Sequence, residues 1–288
     1  MKLLFSETKP DYSHYIFPYA VWALPEHSET PSDLFRAGFL PASRDLDRFY
    51  LCRHVRIDLR RFKTSSENRR ILRKGRGLEY RVIPRSQYPY TDEQRHAWKH
   101  FADIRFGKDV MSIQRLDKLM SSKIVTDIMV FSDESTHQEV GSVTLFLDPP
   151  DLAYYYYSFY DLNYYERNLG MFMMTSAVNH FANSGFAHLY LGTVYSKSAL
   201  YKTQFCGAEF FNGFEWTDQL KQLKHLLLRD TQTQDHHLLE SDVFLEEFYP
   251  KGLGQVASQG GFSVPTPADS VPFSFRTSKP PHGSGTNG

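Results

Sequence analysis

Apolar and polar residues change their period several times along the chain, and each change predicts an element. Residues 153–160 and 187–191 are short runs rich in aromatic and aliphatic side chains, a length suited to buried strands. Between them Leu169, Phe172, Met173, Ser176, Ala177 and His180 recur at helical spacing over 168–182, and Asn183-Ser184-Gly185 stops the run. Strand, helix and strand make a βαβ-type crossover. Upstream, residues 123–131 and 139–147 are two further strands joined by a short polar loop, an antiparallel hairpin by its length. Residues 49–59 alternate, with Leu51, Val55, Ile57 and Leu59 facing inward and Arg53, His54, Arg56 and Asp58 between them. Residues 78–83 and 210–216 complete the predicted strands. Helices are predicted over 32–37, from Ser65 or Ser66 to Gly75, from Thr91 through Phe101, over 112–120 and over 219–228, with partial helix in 230–249.

Beyond Lys251 the period is lost and Gly, Ser, Pro and Thr dominate, which predicts a disordered tail over 251–288. Prolines at 84 and 89 suggest a seam, so the expected division is a basic unit over 1–88 and an α/β (α+β) domain over 89–250. The 288 residues suffice for a stable core, and 41% hydrophobic with 23% charged residues fits an ordinary soluble protein. Absence of a signal-like N-terminus and of a spanning apolar run points to no membrane. Two cysteines, Cys52 and Cys206, give neither a disulfide framework nor a CxxC pair, so a cytoplasmic setting is expected and a cysteine-built metal site is not. His236 and His237 lie in an exposed polar run, and His54 beside Cys52 has too few companions for zinc.

Formal charge sums to zero but is unevenly placed. Residues 44–85 carry fourteen Lys and Arg against five Asp and Glu, an excess of nine. Arg60, Arg61, Lys63, Arg69, Arg70, Arg73, Lys74 and Arg76 form its centre. A solvated helix face is the usual reading of such a run; here its density, balanced by acid elsewhere, favours a polyanion.

Arg167-Asn168-Leu169-Gly170-Met171-Phe172 resembles the pyrophosphate loop of the GNAT acyltransferases, placed at a helix N-terminus where backbone N–H groups favour an anion. The loop's final small residue is Phe172 here. The alternative reading of Gly170 is a helix-start glycine packed on a strand. Further motifs sharpen the comparison: Phe159-Tyr160-Asp161, Asn168-Leu169-Gly170, Tyr190-Leu191-Gly192, Tyr201-Lys202-x-x-Phe205 and Glu209. Their order, with Gly38-Phe39, Val55-Arg56-Ile57, Phe62 and Ser65-Ser66-Glu67-Asn68-Arg69-Arg70, resembles the aminoacyl-tRNA–protein transferases, the arginyl- and leucyl-transferases of the N-degron pathway. The resemblance covers roughly residues 18–216. It implies a GNAT-like mixed sheet flanked by helices, aminoacyl-tRNA as co-substrate and proteins with a free N-terminus as acceptors, with no further cofactor and no metal. The cysteines that many family members carry near the N-terminus are missing apart from Cys52, so no cluster is carried over.

An aminoacyl-tRNA is already an activated ester, so an acceptor α-amine can attack it without a covalent enzyme intermediate. The expected catalytic residues are Tyr190, Tyr201, Lys202 and Asp161. Either tyrosine suits an oxyanion or leaving-oxygen donor and equally a core position with a bonded hydroxyl; Asp161 suits an α-amine partner or a turn cap. Arg60, Arg61, Lys63, Arg69, Arg70, Arg73, Lys74, Arg167, Asn168 and Gly170 are expected to bind tRNA or its phosphates. Tyr160, Glu209 and Arg56 are expected at the substrate pocket. The expected reaction moves arginine or leucine to an N-terminal α-amine. The alternatives are a coenzyme A-dependent N-acetyltransferase, which Phe172 and the basic block oppose, and a non-catalytic tRNA- or N-degron-binding protein.

Overall fold

The computed structural model describes residues 1–14, 16–232 and 234–260, and of residues 165–167 only the backbone. The first elements are β1 (Lys2–Glu7), β2 (Tyr19–Leu24), α1 (Pro31–Arg36), β3 (Phe39–Pro41), β4 (Phe49–Leu51) and β5 (His54–Asp58). There follow α2 (Ser66–Lys74), β6 (Leu78–Pro84), α3 (Asp92–Arg105), α4 (Ile113–Met120), β7 (Asp127–Asp133), β8 (Glu139–Asp148) and β9 (Leu152–Tyr160). The remainder are α5 (Leu169–Asn183), β10 (His188–Thr193), β11 (Ala208–Phe211), β12 (Trp216–Thr217), α6 (Leu220–Arg229), α7 (Asp242–Phe248) and α8 (Leu253–Gln259). Side-chain caps at Thr30, Ser65 and Thr91, each bonded to the third helical N–H, fix where α1, α2 and α3 begin.

Eight strands form one mixed sheet in the order β12-β11-β5-β10-β9-β8-β7-β6. Strands β9 and β10 are parallel and α5 is the crossover between them, while the other pairs of this sheet are antiparallel. A second sheet of four strands has the order β1-β2-β4-β3. Strand period two sends alternate residues to opposite faces of the large sheet. Val55, Ile57, Leu189 and Leu191 meet Met173, Ala177 and Phe181 of α5, with Ile71 of α2 and Leu223 of α6 on the same side. On the other face Phe146, Tyr154 and Tyr190 meet Phe35 of α1, Trp98 and Phe101 of α3 and the small sheet's Ala23, Phe39 and Phe49. The expected α/β mixed sheet flanked by helices is what the chain forms.

Several boundaries differ from the sequence reading. The alternating run 49–59 is two strands in different sheets, because the chain leaves the ladder at Cys52 and Arg53. The run 210–216 is likewise two strands, β11 and β12, turned on themselves with Gly213 at φ 106° and paired Phe211 to Trp216. The division expected after residue 88 does not separate the sheets: β5 lies between β10 and β11, and β6 is bonded to β7. Within the expected tail, residues 253–259 form α8 with Val256 buried; residues 261–288 lie outside the described residues. Among the described residues no helix is long and apolar enough to cross a membrane.

Candidate active site

Parallel strands β9 and β10 are paired only where His188, Leu189 and Tyr190 face Leu152, Ala153 and Tyr154. Beyond that point β9 runs on to Tyr160 beside β8 and β10 to Thr193 beside β5 without pairing to each other, so the two strands part at their C-terminal ends. A register shift between Tyr190 and Gly192 against β5, with Gly192 at φ 81°, turns β10 away. Such a parting opens the sheet interior beside the first turn of α5, where unpaired helical N–H groups lie. Asn168 adopts a left-handed conformation at φ 57° and makes no side-chain cap. Gly170 is tightly packed: a Cβ there would lie 2.8 Å from the Tyr160 hydroxyl, which would have to shift. Arg167 falls among the residues whose side chains are not described.

Lys202 reaches into this opening from the 3-10 turn Lys197–Thr203. Its Nζ donates to the Thr193 carbonyl oxygen at 2.8 Å and lies 3.7 Å from where a Cβ on Gly192 would sit, with the Tyr154 hydroxyl 3.9 Å from the same point. Burial lowers its pKa to about 8, because a buried ammonium has lost much of its hydration. An amine near that value carries a neutral fraction at physiological pH and can accept a proton. Its neighbour Tyr201 is 44% exposed, and desolvation with the nearby Tyr160 raises its hydroxyl. Tyr201 and Gly170 thus lie beside Tyr160 at the end of β9, and Lys202 beside Gly192 and Thr193 at the end of β10.

Tyr190 lies elsewhere. Its ring is buried against Phe35, Trp216 and His54, at centroid distances of 4.9, 5.8 and 5.9 Å. Its hydroxyl adjoins Arg56, and both line a cavity of about 320 Å³ with Arg36, Arg60, Asp58, Asp151 and His188. Burial pushes His188 down to about 4 and the enclosed His54 to about 3. Arg56 and Glu209, neighbours across β5 and β11, form an ion pair at 2.8 Å, the carboxylate also accepting from Arg61 at 2.9 Å. The guanidinium of Arg56 lies over the Trp216 ring at 3.9 Å. These two expected pocket residues are thus partners of one another. Asp161, exposed at the end of β9, accepts the Asn163 N–H at 2.9 Å in a turn.

The basic block divides by pairing. Arg60 bonds Asp58, Arg61 bonds Glu209 and Asp218, and Arg70 bonds Glu67. Arg69 donates to the Thr64 carbonyl, and Lys63, Arg73 and Lys74 are exposed. Helix α2 carries this surface to the opening: a Cβ on Gly75, at its C-terminal end, would lie 2.2 Å from the Phe172 ring. Phe172, the departure from the GNAT-like loop, packs there and against Phe131 at 5.9 Å, so its side chain enters the core. Sequence reasoning missed Tyr154, Thr193 and Glu139. Tyr154 is brought there by the pairing of β9 with β10, Thr193 meets Lys202 through its backbone carbonyl, which no side-chain motif marks, and Glu139 has no local motif.

No family model matches the chain. It is 26% identical over 204 residues to an aspartate/glutamate leucyltransferase of Ruegeria pomeroyi, covering 68% of this chain and 70% of that protein. It is 30% identical over 173 residues to the protein of that name from Ruegeria sp. strain TM1040, covering 58% and 61%. A third, from Alkalilimnicola ehrlichii, is 26% identical over 207 residues, covering 67% and 84%. The chain is similar to aminoacyl-tRNA–protein transferases. Among solved structures, the C-terminal domain of a putative lysylphosphatidylglycerol synthetase from Agrobacterium fabrum overlaps 53% of this chain and 49% of its own at 15% identity, with a TM-score of 0.40. The L-PGS of Bacillus licheniformis overlaps 50% and 46% at 15% identity and a TM-score of 0.37.

Proposed function

We propose that this protein transfers an amino acid from aminoacyl-tRNA to the N-terminal α-amine of an acceptor protein, with leucine as the group moved and Asp or Glu as the acceptor's first residue. The observation that carries the reading is Lys202, a buried amine with its pKa lowered to about 8 at the parting of β9 and β10. The relatives' names support leucine and acidic acceptors. The exposed cations of α2, beside the first turn of α5, suit the phosphates of the tRNA 3′ end.

The chemistry follows from the ester. The acceptor α-amine attacks the aminoacyl carbonyl, a C–N bond forms, and the carbonyl oxygen takes the electron pair. Neutral Lys202 removes the proton that the nitrogen must lose. Collapse of the tetrahedral adduct breaks the bond to the ribose oxygen, which receives a proton from Lys202 or the Tyr201 hydroxyl. Positioning the two substrates supplies the rest of the acceleration.

The test uses tRNA charged with radiolabelled leucine or arginine and peptides beginning with Asp, Glu, Lys or Arg. Label from leucyl-tRNA on the Asp and Glu peptides is the expected result. Label from arginyl-tRNA alone, or on the basic peptides alone, overturns the assignment of substrates.

A further inference from the structure

A second cavity, of about 690 Å³, lies between α3 and the ends of β8 and β9. Its apolar wall is aromatic: Trp98 stacks on Phe159 at 4.3 Å, and Phe101 packs on Tyr160 at 4.6 Å. Its charged lining is mostly acidic: Glu93, Glu139 and Asp161 face it together with His100, and no Lys or Arg does. Glu139 is the most enclosed of the three. Its oxygens accept from the Tyr88 hydroxyl at 2.7 Å and from Gln94 Nε2 at 3.0 Å, and it makes no salt bridge among the described residues. Burial accordingly raises its pKa. A carboxylate held by neutral donors beside aromatic faces, with no cation bonded to it and Arg81 acting only at a distance, is the environment an ammonium group completes. The cavity also adjoins the opening described above, because Tyr160 lines it while its hydroxyl faces Gly170 and its ring neighbours Tyr201.

We infer that this cavity receives the aminoacyl residue of the charged tRNA, with its α-ammonium at Glu139 and its aliphatic side chain against Trp98, Phe101 and Phe159. The inference rests on the transferase reading for the identity of the donor. An acceptor N-terminus carries the same ammonium, but its acidic side chain would meet three carboxylates here, whereas a leucyl side chain meets the aromatic wall.

Binding separates the sources. Full-length protein is titrated with leucyl-tRNA, N-acetylleucyl-tRNA and deacylated tRNA at about pH 6, below the α-amine's own pKa. An Asp-initiated peptide is titrated in parallel. The wild type is expected to hold leucyl-tRNA at least about ten-fold more tightly than the other two tRNAs, and Glu139→Gln to bring all three together with the peptide unaffected. The acetylated donor tests the ammonium without any change in the protein, so a poorly folded variant does not decide the matter. Equal affinity for the three tRNAs in the wild type overturns the inference, as does an advantage for leucyl-tRNA that survives in Glu139→Gln. Loss of peptide affinity alone in that variant would assign the cavity to the acceptor and also overturn it. Transfer is not part of the readout. Failure of transfer with the leucyl-tRNA advantage intact would count against the transferase reading and leave the cavity's ligand standing.

Discussion

Replacing Lys202 by methionine is expected to raise stability and remove activity together. The native state holds this amine at about 8 against an ordinary 10.5, a cost of about 3 kcal/mol for keeping it charged. Below pH 8 both native and unfolded chains bind the proton and the whole cost is present. Between 8 and 10.5 the unfolded chain binds more protons than the native one, so stability rises with pH; above 10.5 the cost is gone. Methionine keeps most of the side-chain volume and removes the charge, but it also removes the 2.8 Å bond to Thr193, worth about 1.5 kcal/mol. The net gain near pH 7 is about 2 kcal/mol, an increase in Tm on the order of 5 °C for a chain of this size. The variant's advantage should shrink as pH rises toward 10 and reverse there, where a neutral lysine costs nothing and keeps its bond. Turnover should fall by about 100-fold or more, the ordinary contribution of a general base. In single-turnover transfer the wild-type rate should climb with pH up to about 8. The acceptor's own amine titrates in the same region, so the diagnostic is the part of the wild-type rise that the variant lacks. A variant that melts lower than wild type at pH 7, or that keeps both the wild-type rate and its pH profile, refutes the reasoning.

Three other perturbations probe the rest of the account. Changing Arg69, Arg73 and Lys74 together to alanine should weaken tRNA binding and lower the slope of log affinity against log salt by about 2 to 3, measured by titration at several salt concentrations; an unchanged slope would remove α2 from the tRNA path. Gly170→Ala, with its Cβ 2.8 Å from the Tyr160 hydroxyl, should cost about 1–3 kcal/mol in denaturant unfolding. The control Gly254→Ala in α8, where nothing lies within 4 Å, should be neutral or stabilising. Arg56→Ala should cost about 2–3 kcal/mol, because the half-buried Glu209 is left with Arg61 as its single remaining partner, while Arg56→Met with Glu209→Met should cost less than the single change. A double variant as unstable as the sum of its parts would contradict that coupling.

Elements that rest on local pattern were legible in the sequence. The spacing of Leu169, Phe172, Met173, Ser176 and Ala177 predicts α5 because all five are buried, together with Met174, Thr175, Val178 and Phe181, whereas His180 of the same spacing is only half-buried. The runs at 153–160 and 139–147 correspond to β9 and β8, which are buried along most of their length. Pairing between remote segments was not legible. The alternation of His54 to Asp58 says only that one face is buried, and places β5 in neither sheet. The hairpin of β1 and β2 carries Leu4, Phe5 and Tyr19 exposed, so no inward face announces it. Site residues follow the same rule. Tyr201 and Lys202 stand in one motif and are found side by side at the opening, whereas Tyr190 is turned by strand alternation to the opposite face from α5, among aromatic rings. Glu139 carries no motif; its distinction comes from Tyr88 and Gln94, which are about fifty residues earlier in the chain and are brought to it by packing of α3 and the turn before it.

The most direct test of the central claim is whether a labelled amino acid moves from tRNA to a peptide in the presence of this protein alone. Leucyl-tRNA, with acetyl-coenzyme A in a parallel reaction, is offered to a peptide beginning with Asp. The account predicts that the leucyl label enters the peptide, that acetyl label does not, and that Lys202→Met slows the first reaction by about 100-fold or more. Acetyl transfer in place of leucyl transfer, or tRNA binding without any transfer, would contradict it.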